Sequence, residues 1–356
     1  MNITNCILRP VLRCTGLTVL WIAISASAQV APGYDAKAGS AGRIMIGHGL
    51  MRRLPIQDSQ ASASGSADAQ ALDNASAPTP VQSALTITYG ALDYPHVLGS
   101  APTGINSKGQ IVGCVATPQT GPIVGYRLNG TSFSKIAYPG PYTDCPGAIN
   151  NSGEIVGDYS SDGYKTAHSF FLVGKVFTPL PDYPGSISTQ AFGVDAFGAI
   201  VGPYSDVSNH VHGFVYRKGV YSSIDVPSAK DTFLNATSSN GNILAGSYNG
   251  SDGHEHGFLF QNNVFTTVDY PGAVDTVING VNDLGDYVGA WGNGTPIFGN
   301  SEYNGFLFSG GSYVSVNLPW AGVSVTQVFT INNKKQMVGA YVDANRILSG
   351  FDAAAK

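Results

Sequence analysis

The chain has 356 residues, enough for two or three ordinary domains or one large repetitive one. Glycine fills 45 positions and charged residues only 12%, about half the usual share, which excludes a coiled coil, a long-helix bundle and a charge-driven disordered chain. The net charge of −5 comes without the concentrated Lys and Arg that phosphate contact needs, so no nucleic-acid partner is expected.

Residues 1–28 read as a signal peptide. Arg9 and Arg13 give a positive start, Leu17 to Ile24 is an apolar run too short to span a bilayer, and Ala26-Ser27-Ala28 is a small-x-small cleavage site. A retained anchor is the competing reading. Cleavage removes both arginines and takes the net charge from −5 to −7. The mature chain is expected to be secreted, periplasmic or at the cell surface, with no membrane contact after cleavage. Residues 29–84 read as a low-complexity linker: from Gln60 to Ala84 the chain is nearly all Ala, Ser, Asp, Gln and Pro, too poor in apolar surface to offset its ordering entropy. Within it, Gly42 to Leu54 is a single apolar-basic island carrying Arg43, Arg52 and Arg53.

From residue 85 onward one unit is repeated six times. A hairpin phrase, Ile-Asn-x-x-Gly-x-Ile-Val-Gly in its best copies, closes at Gly113, Gly157, Gly202, Gly246, Gly289 and Gly339, at spacings of 44, 45, 44, 43 and 50. A Tyr-Pro phrase keeps step at Tyr94, Tyr138, Tyr183, Val226, Tyr270 and Leu318, and a third phrase reads His-Gly-Phe at its clearest, as at His256. Each unit holds four short strands of alternating β-branched and aromatic residues around tight turns. In the fifth unit these are Thr276 to Asn282, Asp286 to Ala290, Asn304 to Phe308 and Ser312 to Leu318.

Four strands in about 44 residues, six times over, predict an all-β, six-bladed β-propeller of four-stranded antiparallel blades over residues 85–352, followed by a tail at 353–356. With the strand before the Asn-x-x-Gly turn innermost (strands a to d outward), the chain begins with a lone d strand at Leu85 to Tyr89. It ends on a lone c strand near Gly350, so the N-terminal strand joins the last blade and closes the ring. A linear stack is the alternative, but it needs polar capping units that are not visible.

These phrases, Gly-Ile-Asn-x-x-Gly-x-Ile-Val-Gly-x-Tyr, His-Gly-Phe and Thr-x-Asp-Tyr-Pro-Gly, resemble the HAF repeat of bacterial extracellular proteins across Leu85 to Phe351. The resemblance implies export and a repeat architecture and carries no catalytic residues. The fourth unit departs from the pattern at Thr237 to Asn242, and the fifth has a longer b–c loop, Trp291 to Tyr303.

The candidate ligand face is built from Tyr94, Tyr138, Tyr183, Tyr270, Trp291 and Trp320, because d–a and b–c loops open on one side of such a disc and sugars stack on rings with a polar edge. The competing reading is that the Tyr-Pro rings pack one blade against the next. His210 with His212, and His254 with His256, form H-x-H pairs that face one way on a strand, joining His210 and His254 to the candidates. Equivalent positions in separate blades favour a structural bond to a blade-edge backbone group over a metal site. Asp162, Asp206, Asp252 and Asp343 recur in b–c loops, but no spacing matches a twelve-residue Ca²⁺ loop, so no cofactor is expected. There is no nucleophile elbow, Walker loop, H-E-x-x-H or dinucleotide fingerprint.

Only Cys114 and Cys145 remain after signal cleavage, in an oxidising compartment where a bridge between neighbouring units is permitted. Sequence leaves a disulfide and two half-buried thiols equally open, because the Cα separation decides. The expected role is a monomeric binding or scaffold module for a polysaccharide or surface protein, and the alternative is a carbohydrate-active lyase or hydrolase at the channel mouth.

Overall fold

The computed structural model describes residues 85–92, 94, 97, 99–116, 123–293, 303–320, 322, 323, 325–343 and 348–356. The expected signal peptide, the linker and most of the loop from Trp291 to Tyr303 lie outside the described residues.

Among the described residues, twenty-five strands, β1 to β25, form six antiparallel sheets arranged as a ring. Blade 1 is β2 (Gly99–Ile105), β3 (Ile111–Ala116), β4 (Ile123–Asn129) and β5 (Ser132–Ile136). Blade 2 is β6 (Thr143–Ile149), β7 (Ile155–Ser160), β8 (His168–Val173) and β9 (Val176–Pro179). In blade 3 the inner strand is split into β10 (Ser188–Thr189) and β11 (Gly193–Val194), both pairing with β12 (Ile200–Ser205), followed by β13 (Val211–Arg217) and β14 (Val220–Ile224). Blade 4 runs β15 (Asp231–Thr237), β16 (Leu244–Asn249), β17 (Glu255–Gln261) and β18 (Val264–Thr267). Blade 5 runs β19 (Asp275–Val281), β20 (Tyr287–Gly292), β21 (Asn304–Ser309) and β22 (Ser312–Val316).

Blade 6 is β23 (Val325–Ile331), β24 (Gln336–Val342), β25 (Leu348–Ala355) and, outermost, β1 (Ile87–Leu92). The six-bladed ring and its closure by the N-terminal strand are therefore as the repeat predicts. Two boundaries differ. The closing strand is Ile87–Leu92 rather than Leu85 to Tyr89, pairing Ile87 with Ala355 and Leu92 with Gly350. Residues 353–355 are strand rather than tail: Ala353 and Ala355 are buried in the blade-6 core beside Val316 and Met337, and the small side chains that read as a featureless end are what this packing admits.

Each recurring phrase has a physical job. The closing glycine sits opposite the inner strand where a Cβ would overlap a carbonyl oxygen, that of Phe233 at Gly246 and of Val277 at Gly289. Directly across from it the inner strand bulges, between Pro102 and Gly104, Pro146 and Ala148, Leu234 and Ala236, Ile278 and Gly280, and Val328 and Thr330. The extra residue turns sideways to the next blade: Asn235 Nδ2 donates to the Ile278 carbonyl at 2.9 Å, and Asn279 Nδ2 to that of Val328 at 3.0 Å.

The Asn of the Asn-x-x-Gly turn works twice. Asn106 Oδ1 accepts from the backbone N–H of Lys108 and Gln110, shaping the turn, while its amide donates to the Asn150 carbonyl of the next blade at 2.9 Å. Asn150 donates likewise to the Asp195 carbonyl, Asn282 to that of Asn332, and Asn332 to that of Asn106, which bridges the last blade to the first. Asp195 and Ser238 have no amide to donate, and there the belt continues through Ala196 N to Ser239 O and Asn240 N to Asp283 Oδ1.

Between blades the core is apolar. A fully buried aromatic from each c strand (Tyr126, Phe170, Phe214, Phe258, Phe306 and Phe351) wedges against the neighbouring sheet, which explains the invariant aromatic of the third phrase. Cys114 on β3 and Cys145 on β6 form a disulfide, with Cα atoms 5.1 Å apart, tying blade 1 to blade 2.

Candidate functional site

Antiparallel order puts the d–a and b–c connections on one face of the disc, here the upper face, and the a–b and c–d turns on the lower face. The Tyr-Pro phrase lies on the upper face, and its backbone is fixed from the next inner strand: Tyr183, Val226 and Tyr270 each donate their N–H to Thr189, Thr232 and Thr276 Oγ1, all at 3.0 Å. Each ring then leans on the blade that follows. Tyr138 stacks on Tyr159 at 3.8 Å, Tyr183 on Tyr204 at 3.7 Å and Tyr270 on Trp291 at 4.6 Å, all within 8° of parallel. Tyr94 packs edge-on to Phe133 at 4.8 Å, and Trp320 tilts against Tyr341 at 4.9 Å. These rings are half-buried and distributed around the disc; Tyr270 and Trp291 are the candidates that meet directly.

The stack continues outward into the histidines. Tyr204 lies on His212 at 5.0 Å, and Tyr159 and Tyr248 tilt against His168 and His256 at 5.6 and 5.3 Å. Each imidazole Nδ1 reaches the aspartate of the Thr-x-Asp-Tyr-Pro phrase in its own blade: His168 to Asp182 at 2.9 Å, His212 to Asp225 at 3.0 Å and His256 to Asp269 at 3.0 Å. The partner is thus a carboxylate, not the backbone group expected from sequence. The two phrases stand 13 or 14 residues apart, and only the c–d hairpin pairing brings them together.

Blades 3 and 4 add a second layer. His210 Nδ1 sits 3.4 Å from Asp231 and His254 Nδ1 3.7 Å from Asp275, each on the neighbouring inner strand. The b–c loops supply Asp206, 3.7 Å from His212 Nε2, and Asp252, 3.0 Å from His256 Nε2. Burial opposes charge on His256, but Asp269 and Asp252 together outweigh it and raise the imidazole above its ordinary range. Asp252 is held low by the His254 backbone N–H and by His256, whereas partial burial raises Asp275. The loop aspartates are committed to their own turns: Asp162 accepts from Thr166, Asp206 from Ser208 and His210, and Asp252 from His254. Among the described residues no three His, Cys, Asp or Glu side chains are arranged to hold a metal ion.

One feature that the sequence reading missed breaks the repeat. Where other blades place Thr or a small residue, blade 2 buries Asp144 and Asp158 beside the disulfide. Asp144 accepts from the backbone of Gly125 and Tyr138, and Asp158 from the Gln190 amide. Burial pushes Asp144 up to about 6 and Asp158 up to about 7. Both are almost wholly shielded from solvent, so they act on stability rather than on a ligand. Along the axis lies a cavity of about 70 Å³ lined by polar inner-strand residues including Thr103, Asn106, Asn279 and Asn332.

No known family model matches the chain, and no curated protein matches it significantly. Solved structures do, as propellers. TolB from Acinetobacter baumannii is 12% identical with a TM-score of 0.44, over 71% of this chain and 53% of TolB. A fungal lectin from Aleuria aurantia, a six-bladed β-propeller with a fucose recognition mode, is 12% identical with a TM-score of 0.45, over 77% of this chain and 93% of the lectin. The sialidase of Trypanosoma rangeli is 10% identical with a TM-score of 0.45, over 72% of this chain and 54% of the enzyme. The chain thus spans about half the length of TolB and of the sialidase. At these identities and scores the likeness says nothing of ligand or activity.

Proposed function

We propose that this chain is an exported propeller of the HAF-repeat type that binds uncharged glycan on its upper face. The observation that carries this reading is the ladder of aromatic ring, imidazole and carboxylate repeated on blades 2, 3 and 4, with its His–Asp ends open to solvent. Half-exposed rings offer apolar platforms, and carboxylates oriented by imidazoles are fixed acceptors for sugar hydroxyls. The face carries Asp162, Asp182, Asp206, Asp225, Asp252 and Asp269 against the exposed Lys165 and Lys230, so its net charge is negative, repelling uronic, sialylated or sulfated chains and favouring neutral ones. Recurrence in equivalent places suits multivalent binding, whereas a catalytic centre needs one constellation of non-equivalent groups. The disulfide suits the oxidising compartment that export implies.

A glycan array with the purified protein tests this. Neutral glycans are expected to bind, with the signal reduced at least about tenfold in the double variant H212A/H256A, through loss of about two charge-assisted bonds. Preference for acidic glycans, or undiminished binding by that variant, would overturn the reading.

A further inference from the structure

The lower face has the opposite chemistry. Its turns expose Lys108, Lys175, Arg217, Lys218 and Lys334. The carboxyl side chains there are all drawn inward among the described residues. Glu154 accepts from the Asn150 amide, Asp195 from Arg217 and its own turn, Asp283 from Asn333, and Asp286 from Asn282. Even with Lys165 and Lys230 exposed on the upper face, its aspartates outnumber its lysines, so the disc is polarised, net acidic above and net basic below.

The same turns expose large apolar side chains. Phe197 and Leu284, next to the axis on the a–b turns of blades 3 and 5, are 79% and 67% exposed. Val176, Val220 and Val264, each opening an outer strand on blades 2, 3 and 4, are 68%, 64% and 59% exposed. Among the described residues of the upper face only Val207, at 75%, reaches that range. Folding gains nothing from these tips, and together with the lysines they span the disc from axis to rim on turns that all end on one side. A flat array of apolar tips among cations matches the headgroup layer of an anionic bilayer, which takes shallow apolar insertion and attracts basic side chains at once. A protein partner would instead call for a clustered apolar centre with a polar rim, and these tips stand apart from axis to rim.

The chain's own leader points the same way. β1 starts at the lower face, where Thr86 N bonds the Lys356 carbonyl at 3.0 Å, so the chain enters the propeller from that side. The sequence before it includes the apolar-basic island from Gly42 to Leu54.

We propose that the lower face docks on an anionic lipid surface, with Phe197, Leu284 and the three valines dipping into the headgroup layer and the upper face turned outward. This departs from the expectation of no membrane contact after signal cleavage, and it does not depend on the ligand of the upper face.

Bromolipid quenching of single reporter tryptophans tests it in the full chain, after subtraction of the native Trp signal. On vesicles of phosphatidylcholine with 30% phosphatidylglycerol, L284W should be quenched and V207W should not, with neither quenched on phosphatidylcholine alone. The triple variant K108E/K175E/K334E, confirmed folded by an unchanged melting temperature, should bind the anionic vesicles at least about a hundredfold more weakly, since each basic residue near such a surface is worth about fivefold. The proposal is overturned if V207W is quenched as strongly as L284W, or if neither is quenched. Undiminished binding by the triple variant overturns it by assigning the contact to the leader. Salt-sensitive self-association without vesicles, abolished by that variant, overturns it in favour of a second copy's acidic upper face as the partner.

Discussion

Breaking the Cys114–Cys145 bridge is the perturbation whose size the structure fixes best. The two cysteines are 31 residues apart in sequence and join an inner strand of blade 2 to the second strand of blade 1. Closing a loop of that length removes about 12 cal/mol/K from the unfolded chain on the loop-entropy estimate, or about 4 kcal/mol at 25 °C. At about 2 °C per kcal/mol for a fold of this size, melting should fall by about 8 °C. Both side chains are buried, Cys145 at 1% exposure, so removing them also forfeits packing. The clean comparison is therefore the wild-type chain unfolded in guanidinium with and without reductant, and C114A/C145A alongside it. Reduction should lower the midpoint by the equivalent of about 4 kcal/mol, and the double variant by at least as much. Equal midpoints would refute the argument, as would a free thiol at Cys114 or Cys145, mapped by alkylation of the denatured, unreduced protein.

Asp158 should make stability depend on pH. Its folded value of about 7 stands above the unfolded 3.8, so the stability that its neutral carboxyl contributes is fully present below about pH 4 and is lost as pH rises through 7. D158N should flatten that slope and be more stable at pH 7.5 by a few kcal/mol, as read from denaturation at pH 4.5 and 7.5; an unchanged slope would count against it. N332A removes the amide that bonds the Asn106 carbonyl across the closure and two acceptor bonds within its turn, and should cost about 2–3 kcal/mol in urea unfolding. G246A should cost more than G130A, because its Cβ meets the Phe233 carbonyl while Gly130 needs only its positive φ. A smaller loss for G246A would remove the reason offered for the closing glycine.

Most of the architecture was legible because each phrase does one job in every blade. Asn106 shapes its turn and reaches the next blade with a single side chain, Gly246 clears a carbonyl, and Phe258 fills the gap between sheets, so selection for the ring leaves a period in the letters. Closure followed from the phase of the repeat. What escaped depended on pairing across a hairpin or on departures from the period. His256 and Asp269 belonged to separate phrases until β17 and β18 were set side by side. Asp144 and Asp158 replace repeat residues with single letters that carry no local signal. The charge polarity was within reach, since sorting Asp206 and Asp252 from Lys108 and Lys175 by turn type needs only the strand order.

The closed ring is tested most directly by native-state hydrogen exchange at its seam. If β1 truly completes blade 6, the amides of Ile87–Leu92 and Leu348–Ala355 that form the ladder should exchange as slowly as those of the equivalent outer pair in blade 4, β17 and β18. Rapid exchange of β1 and β25 while β17 and β18 stay protected would show an open ring, contradicting the account.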